Sequence, residues 1–118
     1  MTSPDPAATL TRLLTAGEGE VVEFKEATDN FPTSDIGKYF SALANEANLR
    51  GEDAGWLVFG VTDRPHRVVG TDFRRDRTRL DALKMHVTQG AGASFRDIHE
   101  VDLPEGRVIL FEIPPAPR

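Results

Sequence analysis

The chain reads as one α/β domain of the α+β kind, a mixed β-sheet packed with two main helices and a short N-terminal helix. Three observations predict this. The apolar positions Ile36, Tyr39, Phe40, Leu43, Ala44 and Ala47 recur at i, i+3, i+4, i+7, i+8 and i+11, the stripe of a helix that lays one side on a core. Trp56-Leu-Val-Phe-Gly-Val61 is an unbroken apolar run of strand length, as expected of a central strand covered on both faces. Leu103-Pro-Glu-Gly106 lies between two β-rich segments, with Pro second and Gly last in a hairpin turn.

The remaining elements follow in order. Residues 1–8 are expected to be disordered. Ala8 to Thr15 forms a short helix with Leu10, Leu13 and Leu14 on one side, ended by Gly17. Val21 to Lys25 is a short strand, bounded by Gly17 and Gly19 before it and by the polar loop Asp29 to Thr33 after it. Thr33 or Ser34 is the expected N-cap of the main helix. The loop Arg50 to Gly55 then leads into the central strand. Asp63-Arg-Pro65 signals a turn, from which Arg67 to Gly70 pairs back as the second arm of a hairpin. Asp76 caps a second helix, with Leu80, Leu83 and Val87 inward and Gly90 as its stop. Phe95 to Asp102 and Arg107 to Ile113 make the closing hairpin. Pro114, Pro115 and Pro117 forbid further ladder bonds and carry the chain outward. The domain is thus expected over residues 9–114, and residues 115–118 open a proline-rich linker to a further C-terminal region.

Bulk properties narrow the function. At 118 residues the chain has room for one domain. With 39% hydrophobic and 28% charged residues it is too apolar for a disordered tail. No apolar run approaches the roughly 18 residues of a membrane span, and the N-terminus lacks the pattern of an export signal. A cytoplasmic location without a membrane partner is expected. The absence of cysteine excludes disulfides and thiolate zinc sites, leaving His and carboxylates as metal ligands.

The net charge of −5 argues against a domain that grips phosphate by bulk electrostatics. The charge is unevenly spread, however. Residues 1–63 carry 4 Lys/Arg against 11 Asp/Glu, residues 64–84 carry 7 against 3, and residues 85–118 carry 3 against 5. The basic stretch holds Arg64, Arg67, Arg74, Arg75, Arg77, Arg79 and Lys84, with His66 beside them. It is either a local nucleic-acid patch or a solvated surface whose arginines pair with Asp72, Asp76 and Asp81.

The densest chemical cluster is Glu18, Glu20, Glu23, Lys25 and Glu26. On a strand Glu23 and Lys25 share one face, and Val22, Phe24 and Glu26 take the other. A carboxylate and a lysine on one face suit a divalent metal held beside a phosphate, or form an ordinary exposed ion pair. Asp63 sits after the central strand, where α/β sheets place ligands or where an Asp simply makes a turn. Carboxylate oxygens are the ligands expected for magnesium or manganese. His66, His86 and His99 lack metal-ligand spacing, no nucleophile arrangement is visible, and Trp56 reads as packing.

Gly17-Glu18, Val22-Glu23-Phe24-Lys25, Ser41-Ala-Leu-Ala-Asn45, Leu57-Val-Phe-Gly-Val-Thr-Asp63 and Val69-Gly70, taken as an ordered set, resemble the Schlafen AlbA-like domain from about Leu10 to Pro114. The resemblance implies an α/β fold, DNA or RNA binding, and attachment to C-terminal regions in transcriptional regulators or ATPases. In animal relatives three acidic residues form a metal-dependent endoribonuclease site. The matching positions here are Glu18, Glu23 and Asp63, with Lys25 placed to steady a phosphate. Three expectations follow: a nucleic-acid-binding module that uses Lys25 and the arginines at 64, 67, 74, 75, 77 and 79; a magnesium- or manganese-dependent nuclease; or an interaction module, self-associating or controlling its own C-terminal region. One stretch departs from the family. Relatives read Ala-Asn-Thr-x-Gly-Gly into the next strand, whereas this chain has a longer, more acidic connection from Ala44 to Gly55. That insertion either excludes a nucleic-acid backbone or recruits Asn48 and Arg50 to a ligand.

Overall fold

Side-chain alternation along four strands sets the layers. The computed structural model describes residues 5–16, 20–91 and 94–117. Its elements are α1 (Pro6–Ala16), β1 (Val22–Lys25), α2 (Thr33–Arg50), β2 (Gly55–Phe59), α3 (Arg77–Ala91), β3 (Asp97–Leu103) and β4 (Gly106–Ile113). The strands form one mixed sheet in the order β1-β2-β4-β3. β1 runs parallel to β2, and the other neighbours are antiparallel. A parallel pair needs a crossover, and α2 supplies it.

β2 is buried along its whole length, as its apolar run requires. Trp56 and Val58 join Leu10 and Leu13 of α1, together with Phe24, Val108 and Leu110, on one face. Leu57 and Phe59 join Ile36, Phe40 and Leu43 of α2 and Leu80 and Leu83 of α3 on the other. The molecule is therefore a single α+β domain with its sheet between one helix and two. Phe59 anchors the second face: its ring centroid lies 4.9 Å from that of Phe31, 5.1 Å from Phe73 and 5.0 Å from Phe111, the last two edge-on.

Several local details differ from expectation. α1 begins at Pro6 rather than Ala8, so residues 6–8 are helical, because proline fits the first turn of a helix; residues 1–4 and Gly17 lie outside the described residues. The N-cap of α2 is Pro32, at φ −67° and ψ 132°, with no side-chain cap. Its carbonyl accepts the N–H groups of Asp35 and Ile36, which draws Thr33 and Ser34 into the helix itself. Asp76 does cap α3, its carboxylate accepting the Thr78 N–H at 2.9 Å, but the helix runs past Gly90 to Ala91. A glycine lowers helix stability without ending a helix unless it turns left-handed. Gly51 does turn, at φ 68°, and the Glu52 N–H bonds back to the Ala47 carbonyl, closing α2. The hairpin expected after β2 shrinks to one bridge between Val61 and Val68, since the Gly60 carbonyl takes both the Val69 and Gly70 N–H groups. After β4 the prolines do stop the ladder, yet the chain crosses α2, where the Ala116 N–H donates to the Ala44 carbonyl at 2.9 Å.

The end of the sheet where β1 and β2 stop and β4 begins is fastened by two features. Gly60, Gly70 and Gly106 meet backbone to backbone: a Cβ on Gly60 would stand 2.7 Å from the Arg107 carbonyl oxygen, and one on Gly106 would stand 2.6 Å from the Gly70 Cα. Beside them Arg107, only 7% exposed, donates to the carbonyls of Thr71, Phe73 and Arg74 and to the Glu100 carboxylate. The segment from Gly70 to Arg74 is thereby bound to the sheet.

Candidate nucleic-acid interface

The β2–α3 connection, residues 60–76, carries half of the candidate side chains, and short polar bonds fix its course. The Thr62 Oγ accepts the Arg67 N–H at 3.0 Å while its hydroxyl donates to the Pro65 carbonyl. The Thr62 N–H donates to the Arg67 carbonyl at 2.9 Å, closing a tight turn. Farther along, the Thr71 hydroxyl donates to the Ala27 carbonyl at 2.6 Å, and the Arg74 N–H donates to Asp29 at 2.7 Å. The loop after β1 and the loop after β2 are thus tied together.

The turn at 62–67 folds beside β1, the edge strand, and forms an open groove of about 920 Å³. Its apolar floor is Val22 and Phe24. Arg50 lines one part, and Asp63, Arg64 and His66 line another. The His66 and Phe24 ring centroids are 4.3 Å apart. Glu20 also lines the groove and is bridged to Arg12 at 3.1 Å. The stretch that departs from the expected connection accounts for Arg50. Residues 46–50 are helical, so α2 is lengthened and its last residue reaches the groove.

Glu23 and Lys25 take the α2 side of β1, paired with Leu57 and Phe59, and Phe24 takes the α1 side, as strand alternation predicts. The Lys25 Nζ lies 5.2 Å from the centre of the Tyr39 ring. A hydrogen bond with the Tyr39 side chain raises the Lys25 pKa; partial burial opposes this, and electrostatic attraction to Tyr39, Glu23 and Asp63 adds to it. Glu23 and Asp63 therefore both favour the ammonium form of Lys25. Glu18 lies outside the described residues. Among the described residues no group of three or more His, Asp or Glu side chains is placed to hold a metal ion.

The six arginines divide into two groups. Arg74, Arg77 and Arg79 have partners within the fold. Arg74 donates to the Arg79 carbonyl at 2.7 Å, and its pKa is lowered by burial and by the neighbouring Arg79, with Asp29 opposing. Arg77 donates to the Ile98 carbonyl at 2.8 Å and pairs with Asp81 at 3.0 Å and Glu100 at 3.3 Å. Burial works against its charge, but the hydrogen bonds to Asp81 and Glu100 outweigh it and raise the pKa. Arg79 faces Asp29 at 3.8 Å. By contrast Arg64, Arg67 and Arg75 are exposed, and among the described residues their side chains have no ion-pair partner. Of the three aspartates expected to neutralise the basic stretch, only Asp81 pairs with one of these arginines; Asp29 and Glu100 come from distant segments.

Two contributors lay beyond sequence reasoning. Tyr39 reads as one more position of the apolar stripe, and Arg107 as an ordinary cation opening a strand. Only the approach of α2 to β1, and of the 71–74 segment to β4, gives these side chains their partners.

Fold and site together define a class: a small α+β domain with a mixed four-stranded sheet, an edge-strand groove and a fastened basic loop beside it. The chain belongs to the Schlafen, AlbA_2 family, whose sequence profile matches residues 18–118. Among solved structures it is similar to the DIP2311 protein from Corynebacterium diphtheriae, with a TM-score of 0.62 and 18% identity over 93% of this chain and 25% of that one. It is also similar to the N-terminal domain of a protein described as related to the ATP-dependent DNA helicase RecG, from Nitrosomonas europaea. There the TM-score is 0.53, with 21% identity over 99% of this chain and 76% of that one. At these identities the likeness is one of fold. The chain spans about a quarter of the Corynebacterium protein's structure. No curated protein sequence matches it significantly. No helix among the described residues is long and apolar enough to cross a membrane.

Proposed function

We propose that this domain binds nucleic acid, DNA or RNA, through Arg64, Arg67 and Arg75, with Lys25 and the edge-strand groove as the adjoining site. The observation that carries this reading is the division of the arginines. Three are spent on the fold, and three stand exposed on a loop whose backbone is tied to the sheet, so they meet a phosphate backbone from a fixed frame. The acidic remainder of the chain limits nonspecific binding. Membership of the Schlafen, AlbA_2 family, and the likeness to a domain of a RecG-related protein, support the same reading. The domain then serves as the N-terminal module of a larger cytoplasmic regulator or ATPase-like protein.

A second reading, a divalent-metal-dependent endoribonuclease, has one observation in its favour: Glu23 and Asp63 act on the same lysine. The described residues do not by themselves assemble a site for magnesium or manganese.

The test is a titration of the chain against fluorescent transfer RNA, single-stranded DNA and duplex DNA at low and moderate salt, with manganese or chelator, followed by a gel. Binding that weakens about 20- to 40-fold over a fourfold rise in salt, with intact substrate, is the expected result for about three phosphate contacts. Manganese-dependent fragments that vanish in Glu23→Gln would favour the nuclease. Absence of binding at low salt would overturn both and leave a protein-interaction or self-associating module.

A further inference from the structure

We infer that the groove beside β1 holds an unstacked nucleobase against the His66 ring, so that the domain prefers single-stranded to duplex nucleic acid; this rests on the nucleic-acid binding proposed above. The groove has a mixed lining: Val22 and Phe24 are apolar, Asp63 and Glu20 are carboxylates, the latter bridged to Arg12, and Arg50 and Arg64 are cations. A nucleotide suits such a lining, its base having apolar faces and a polar edge and its phosphate a charge for the arginines. Asp63 offers acceptor oxygens to the amino groups of such an edge.

His66 supplies the stacking surface. Its ring leans on Phe24 with the planes 40° apart, and Phe24 is 3% exposed and so held by the core. The ring itself is exposed and lines the groove. Thr62 bonds to Pro65 and Arg67 on either side of it, fixing the turn that carries it. Arg64, on the same lining, is available to the phosphate of a base held in this position. In a duplex both faces of a base are covered by its neighbours, so the ring has nothing to stack on; an unpaired base presents a free face.

The experiment compares the wild-type chain with His66→Ala and His66→Phe on one single-stranded oligonucleotide carrying 2-aminopurine and on its blunt duplex. Thermal midpoints serve as the control for folding. Stacking of one base on a side chain is worth about 1–3 kcal/mol, so His66→Ala is expected to weaken single-strand binding about fivefold or more. Duplex binding should stay within about twofold. His66→Phe should restore single-strand affinity, and 2-aminopurine emission should be quenched by wild type and His66→Phe only. Single-strand affinity unchanged in His66→Ala overturns the inference while salt-dependent binding by wild type keeps the broader reading. Equal losses on both substrates, unrestored by Phe, also overturn it. Failure of wild type to bind either substrate removes both.

Discussion

Arg107→Met destabilises the domain by about 3 kcal/mol, the largest effect expected of any charged residue here. The guanidinium is nearly buried and makes four bonds, at 3.2 Å and 2.7 Å to the Thr71 and Phe73 carbonyls, 3.1 Å to that of Arg74 and 3.1 Å to Glu100. Methionine fills much of the volume but leaves three carbonyls without this donor, and the Glu100 carboxylate keeps only its bond from Arg77. Each bond from a charged donor is worth about 1.5–3 kcal/mol, yet the sum is not additive. Glu100 is 26% exposed and recovers water, which holds the loss below the 3–5 kcal/mol of a fully buried pair. Arg107→Lys keeps the charge without the planar fork and loses about half as much. Urea unfolding measures both, and amide exchange across residues 71–75 should accelerate in step. A loss under about 1 kcal/mol for Arg107→Met would show that the 71–74 segment is held by something else.

Gly106→Ala is the second large effect, at about 2–5 kcal/mol. Two causes combine. Gly106 sits at φ 149°, a conformation that side-chain-bearing residues rarely adopt. Its added methyl would also stand 2.6 Å from the Gly70 Cα and 3.0 Å from the Gly70 nitrogen. Those atoms belong to the backbone and do not swing aside, so overpacking of about 1–3 kcal/mol adds to the strain. Gly37→Ala is the internal comparison. It lies inside α2 with nothing within 4 Å of the added atom, so the helix-propensity gain of about 0.5–1 kcal/mol should raise stability. Opposite shifts in the urea midpoint for the two variants are expected; a neutral Gly106→Ala would mean that the β3–β4 turn relaxes away from Gly70.

Both predictions concern features that local patterns in the sequence do not reveal. The stripe from Ile36 to Ala47, the run through β2, the Asp76 cap and the Leu103–Gly106 turn were legible because each is decided by neighbours within about a dozen residues. The alternation of Glu23 and Lys25 against Phe24 was legible for the same reason. Gly60 reads as part of a strand run, Gly70 as the end of a hairpin arm and Gly106 as a turn residue until the fold brings their backbones together. Arg107 looks exposed until Thr71, Phe73 and Arg74 arrive from more than thirty residues away. The basic stretch was half legible. Its composition marked a patch, but which arginines are spent on Asp29, Asp81 and Glu100 depends on tertiary placement. The groove was less legible still, since its rim joins the end of α2 to the turn at 62–67 across the edge strand.

The most direct test of the central proposal is the salt dependence of nucleic-acid binding by wild type and by Arg64→Ala/Arg67→Ala/Arg75→Ala. Each phosphate contact contributes roughly 0.7 for single strands to 0.9 for B-DNA to the slope of log K against log salt. Loss of three contacts should flatten that slope by about 2 to 3 and leave the unfolding midpoint nearly unchanged, because none of the three side chains has an ion-pair partner among the described residues. A slope equal to that of wild type would contradict the assignment of these arginines as the phosphate contacts.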